Sequence, residues 1–253
     1  MGSSLPMKLI LIPALAATAL VLAGCDEPAP WARPAKAPQS AQAPTNLRPQ
    51  KVVWNEAAGA FEVGGKPLKA GRTWTFDGST EGFVLAGGSV LPATPVGLAV
   101  RNVDFDPVLR SPKGLELDGE RYSLVLVRLT RHRPGAAWDG TLFYSTAGGH
   151  AESGDFRAKP LEGAAPGVGE TVVLVYDMAR PKKGGDDWTM SMIDSLRIDT
   201  DDQAGGAFTI HQIAVTENPG PAALGVAPPP PAVEVKKEPR ATEELKPAEA
   251  PKT

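Results

Sequence analysis

Cysteine is nearly missing from this chain: Cys25 is the only one among 253 residues. An internal disulfide is therefore excluded, and any globular part must be held by its own apolar core. Histidine is scarce too. His132, His150 and His211 show neither H-E-x-x-H spacing nor companion cysteines, so a zinc site has no ligand set. No serine stands in a G-x-S-x-G elbow. Gly167-Val168-Gly169-Glu170-Thr171 lacks the lysine of a phosphate loop and precedes a strand-like run, so it reads as a turn. Asp and Glu are plentiful, but nothing singles out the opposed carboxylate pair of a glycosidase, and an enzyme is not expected. Neither sign of charge dominates: the net charge is −3 with acids and bases interspersed, which speaks against a nucleic-acid partner. Aromatics are few, at 6%, and no stretch sustains a helical period.

What is present begins with a leader. Lys8 precedes an apolar segment from Leu9 to Leu22, broken by Pro13 and Thr18 and closed by small residues. A basic start, a short apolar core and small residues at the cut are the parts of a secretory signal. The segment is too short for a membrane span, which needs about 20 apolar residues. Its end, Leu22-Ala23-Gly24-Cys25, resembles the lipobox of bacterial lipoproteins at every position. The resemblance implies a diacylglycerol on the Cys25 thiol, cleavage before Cys25 and acylation of the new amino group. Several acyl chains on one residue exceed the two signals that stable anchoring needs. The expected address is the cell envelope, lipid-anchored on the periplasmic side. Asp26, in the second mature position, resembles the enterobacterial signal for retention in the inner membrane.

Residues 1–24 are thus read as a lipoprotein signal peptide, and 25–50 as the lipidated cysteine with a Pro/Ala-rich tether. Pro28, Pro30, Pro34, Pro38, Pro44 and Pro49 punctuate that tether. Such a composition cannot bury enough apolar surface to offset its ordering entropy. At about 3 Å per residue it would hold a domain some tens of ångströms from the bilayer. Residues 218–253 read as a disordered, charged tail with the polyproline run Pro228 to Pro231, a spacer or a hook for an envelope protein. The remaining 51–217, about 165 residues, suffices for one core.

Within 51–217 short strand-like runs are cut by turn signals. Gly64-Gly65 marks a tight turn, and Trp74 and Phe76 share one face. The longest run, Tyr122 to His132, places Val125, Val127 and Leu129 on one face and Leu124, Leu126, Arg128, Thr130 and His132 on the other. Being apolar on both faces at its centre, it should be central in its sheet and partly covered on its second face. Met192, Leu196 and Ile198 are core candidates, with Ser195, Arg197 and Asp199 outward. The parity switch between Ile210 and Ile213 predicts a bulge.

This order of features, from Trp74-x-Phe76 through Gly82-Phe83, Asp106-Pro107, the Tyr122 strand and Tyr176-Asp177 to Leu196-Arg197-Ile198-Asp199 and a closing Phe-x-Ile strand, resembles the galactose-binding-domain-like, carbohydrate-binding-module type of jelly roll. The expected fold class is all-β, a two-sheet antiparallel sandwich with disordered Pro-rich flanks. The resemblance implies sugar binding on a concave face or at loop tips, and often a structural calcium. Asp199, Asp201 and Asp202 begin a run like a calcium loop and are the candidate metal ligands. Gln203 and Ala204 break that pattern, which leaves a solvated turn as the alternative. No other cofactor is expected.

Sugar recognition needs aromatic faces and planar or charged donors. The candidates are Tyr144, Arg128 and Arg197, which would share a sheet face if their strands were neighbours, with Trp138 and Trp188 in loops. Trp188 also reads as core edge, and the arginines as partners of Asp199 or Asp177. The expected function is a non-catalytic envelope module binding a carbohydrate or cell-wall glycan. The alternative is a structural or protein-interaction module of an envelope assembly.

Overall fold

The computed structural model describes residues 51–92 and 96–226. The leader, Cys25 and its tether, and the tail beyond Val226 lie outside the described residues.

In chain order the strands are β1 (Val52–Asn55), β2 (Ala60–Val63), β3 (Lys66–Pro67), β4 (Ala70–Trp74), β5 (Val84–Ala86), β6 (Gly88–Pro92), β7 (Leu98–Asn102), β8 (Val108–Arg110), β9 (Leu117–Asp118), β10 (Leu124–Arg133), β11 (Trp138–Thr146), β12 (Arg157–Ala158), β13 (Thr171–Asp177), β14 (Met192–Asp201) and β15 (Ala207–Thr216). One short helix, α1 (Pro221–Leu224), follows. Two antiparallel sheets face each other. The first runs β13-β10-β15-β7-β6, with β4 pairing β15 beyond the end of β7. The second runs β12-β11-β14-β8-β5, with β9 also on β14. This is the all-β sandwich that the turn-cut pattern implies.

The core lies between the sheets. Trp74, Val127, Tyr144, Trp188, Leu196 and Ile213 are all fully buried in it. Period-two alternation sends every second residue of β10, β11, β14 and β15 inward. β10 sits between β13 and β15, and its second face is covered at one end as its apolar residues require. There β1 and β2 lay Val52 and Phe61 over Leu124, Leu126 and Ala214, joined by Leu224 of α1. Gly64 and Gly65, at φ 56° and 75°, form the two-residue turn into β3, a conformation that favours glycine at both positions. Where the chain crosses from the second sheet to the first, a Cβ on Gly88 would fall 2.3 Å from the Arg101 carbonyl oxygen. Only glycine fits there.

Three details of the sequence reading change. The folded part runs past Glu217 to Val226, because Leu224 is 7% exposed and seals the second core. The tail therefore cannot start at residue 218. Met192 is 45% exposed, while its neighbour Ile193 is fully buried. The β11–β14 register slips between Ser145 and Thr146, so parity counted back from Leu196 fails at that bulge. Third, the long strand begins at Leu124, since Tyr122 belongs to the preceding turn. The bulge expected between Ile210 and Ile213 is present: Arg128 pairs Gln212 and Leu129 pairs Ile210, leaving His211 as the extra residue.

Candidate functional site

A row of planar polar side chains lies on the outer face of the second sheet. Leu142, Leu196, Leu109 and Ala158 point into the core, so their strand neighbours must point away from it. The pairing then aligns one row across five strands: Arg157 on β12, Phe143 on β11, Arg197 on β14, Arg110 on β8 and Val84 on β5. The Arg197 guanidinium lies over the Phe143 ring, 4.5 Å from its centroid. Arg197 also grips Asp199 with two bonds, Nε–Oδ1 at 2.8 Å and Nη2–Oδ2 at 2.6 Å. Residues two apart on a strand share a face, which makes this pair local to β14. Arg110 donates from Nε to both Glu152 oxygens, at 2.9 and 3.2 Å.

Burial pushes the Asp199 carboxyl above its ordinary range, and the Arg197 contact only partly opposes that. The same hydrogen bond to Asp199 raises the Arg197 guanidinium further. At one rim the loop after β7 packs on Gly87, whose carbonyl accepts from Val103 and Asp104. Asp106 there adopts φ 51° and lies 3.7 Å from Arg197. This loop presents Phe105, which is 69% exposed.

At the other rim an open groove of about 500 Å³ is lined by Arg110, Lys113, Ser145, His150, Glu152 and Ser195 among others. His150 stacks on Phe156 at 3.4 Å. Its Nε2 is 2.8 Å from Asp187 Oδ2, which also accepts from the Tyr144 hydroxyl at 2.9 Å.

The sequence candidates do not gather on one face. Tyr144 is fully buried and meets Trp188 edge-to-face at 4.9 Å, so the expectation that it faces outward is corrected. Leu142 shares its parity, and the pair alternates inward while Phe143 turns out. Burial and the Asp187 bond raise the Tyr144 hydroxyl well above its usual range. Trp188 is also fully buried, donating from Nε1 to the Tyr122 carbonyl at 3.0 Å. Trp138 is half-buried, tilted against Phe208 at 6.2 Å, with the Arg131 guanidinium 5.5 Å from its ring centre.

Arg128 lies on the other sheet from Arg197, bonded to Gln212 at 2.9 Å and Glu56 at 3.2 Å. Only Arg197 stands on the row. Asp199 and Asp201 take separate partners, Arg197 and Arg131, while the backbone of Asp202 accepts from Asp106. Among the described residues these acids do not converge into a metal-binding group.

Arg110, Phe143, Arg157, Glu152 and Phe105 were missed. For the four on or against the row the signal is long-range pairing, which a single chain's periodicity does not carry, while Phe105 stands in the loop after β7.

No family model matches this chain, and no curated protein does. Solved structures with a related outline include a low-affinity xylan-binding module of Roseburia intestinalis. It is 10% identical at a TM-score of 0.36, over 58% of this chain and 95% of that one. A family 29 carbohydrate-binding module of Piromyces equi is 9% identical at 0.35, over 59% and 87%. The N-terminal cellulose-binding domain of Cellulomonas fimi β-1,4-glucanase C is 12% identical at 0.36, over 59% and 95%. At these values the likeness carries no functional weight, and side chains must supply the reading.

Proposed function

We propose that this chain is a lipid-anchored module of the bacterial cell envelope whose sandwich binds a glycan, without catalysis, across the outer face of the second sheet. The supporting observation is the row Arg157–Phe143–Arg197–Arg110. Guanidinium groups locked to Glu152 and Asp199 present fixed donors and acceptors, which hydroxyl-rich ligands require, and Phe143 gives an apolar floor. Phe105 adds an exposed ring at the rim. Because Asp199 and Glu152 are each engaged by an arginine, the arrangement favours binding over acid–base work.

The anchor belongs to the same proposal: acyl chains on Cys25, with the sandwich on the periplasmic side and Asp26 favouring the inner membrane. The Pro-rich tail is the proposed contact for an envelope protein. Acyl labelling that vanishes in Cys25→Ala supports the anchor, and unchanged labelling removes it.

Affinity electrophoresis of the full chain through a panel of soluble polysaccharides tests the glycan reading. At least one should retard the wild type, and Phe105→Ala and Arg197→Ala should each weaken that retardation about tenfold or more. Migration unaffected by every polysaccharide rejects it. The burial of Tyr144 and Trp188 favours a second reading, a protein-interaction module. That reading takes over if no glycan binds.

A further inference from the structure

We propose that Arg157 makes this face selective for glycans carrying a carboxylate, an inference that rests on the glycan reading above. The three guanidinium groups of the row are unequal. Arg110 is neutralised by Glu152 at 2.9 Å. Arg197 is neutralised by Asp199 at 2.6 Å, with Asp106 at 3.7 Å. Arg157 has no such partner among the described residues. Its backbone exchanges two hydrogen bonds with Lys183, but among the described residues its side chain makes none. The nearby acid Asp155 faces Lys183 instead, at 3.8 Å.

Moreover, Arg157 Nε is buried from water and donates to nothing. That donor is closed to a ligand as it is to water, so an incoming acceptor meets the guanidinium through its terminal N–H groups. A carboxylate fits best, because its two oxygens match two parallel N–H bonds and its charge meets a cation no protein group has cancelled. A hydroxyl supplies one acceptor and no charge.

The row also sets how much charge the face reads. Strands lie about 4.8 Å apart, so Arg157, Arg197 and Arg110 span roughly 14 Å across the sheet. Of these three guanidinium groups only that of Arg157 lacks a carboxylate partner among the described residues. The face therefore reads one acidic sugar within an otherwise hydroxyl-rich chain, rather than a uniform polyanion.

Titration calorimetry of the full chain tests this with matched ligands: oligogalacturonate, its methyl ester and its carboxyl-reduced form, and the same three forms of a mannuronate chain. The acidic form should bind about tenfold tighter than either neutral counterpart. Arg157→Gln should erase the difference, so that within this variant the acidic form binds no tighter than its neutral counterparts. Arg157→Lys should restore only part of it, since an ammonium lacks the planar fork. Thermal unfolding of both variants separates a lost contact from a lost fold. Equal wild-type affinity for acidic and neutral forms overturns the role of Arg157 and leaves glycan binding standing. A preference that survives in a folded Arg157→Gln protein likewise overturns it. No binding of any of these chains overturns the role of Arg157, and the polysaccharide panel then decides the glycan reading separately.

Discussion

At His211 a single inserted residue becomes a pH-sensitive part of the fold. The bulge turns its ring against Thr130, with Nε2 2.7 Å from the hydroxyl, and Thr130 in turn meets Thr171 at 2.7 Å. Burial, and then the Arg128 charge, push its pKa down from 6.5 to about 4, against an opposing hydrogen bond with the Val96 backbone. The unfolded chain thus takes up a proton near pH 6.5 that the folded chain refuses until about pH 4. Stability from this group is complete above pH 6.5 and is lost as pH falls toward 4, by on the order of 3 kcal/mol. Urea unfolding at pH 7.5, 6 and 5 should show that loss in the wild type. His211→Gln, which keeps a polar group beside Thr130, should flatten the slope. Identical slopes would assign the pH dependence elsewhere.

Between elements, the second core decides where the folded chain ends. α1 starts with Pro221 at its first position and stops at Gly225, φ 69°, whose amide returns to the helix carbonyls. Its purpose is Leu224, which completes the apolar cover over Leu124 and Leu126 with Val52 and Phe61. Leu224→Ala should cost about 2–3 kcal/mol, and ending the chain at Glu217 at least as much. Chemical denaturation measures both, and a change below about 0.5 kcal/mol would mean that this cover contributes little.

The need for such a cover was legible in the sequence, because Leu124 and Leu126 alternate with Val125 and Val127. Its identity was not, because the covering residues come from both ends of the fold. The His211 bulge was legible as a parity switch between two isoleucines. The β14 slip was not, since Met192, Leu196 and Ile198 keep a false common parity across it. The site suffered from the same limit. Leu142-Phe143-Tyr144 is apolar in both phases, and only pairing with β14 shows that Phe143, and not Tyr144, turns toward Arg197.

Across the whole sandwich, one ion pair ties the two sheets together at the end where β10 and β14 finish. Arg131 belongs to the first sheet and Asp201 to the second, and their side chains are 7% and 0% exposed. The guanidinium donates to Asp201 Oδ1 at 3.0 Å and to the Pro166 carbonyl at 3.1 Å, while lying over Trp138 and Phe208. The other Asp201 oxygen accepts from the Gly135 amide at 3.2 Å. A Cβ on Gly206 would fall 1.9 Å from that same Asp201 oxygen, so the β14–β15 connection closes on the carboxylate only with glycine there.

Removing one charge strands the other away from water, which costs about 3–5 kcal/mol, whereas removing both in favour of apolar groups costs far less. Arg131→Met and Asp201→Leu should therefore each destabilise strongly. The double variant should be more stable than either single one, a coupling that denaturant unfolding of the four proteins measures. Burial already pushes the Asp201 carboxyl upward against the pull of Arg131. The pair's net contribution is thus small, and its value lies in fixing how the two sheets meet. If the single variants simply add in the double, the pair does not act as a unit and the two sheets are set in register by apolar packing alone.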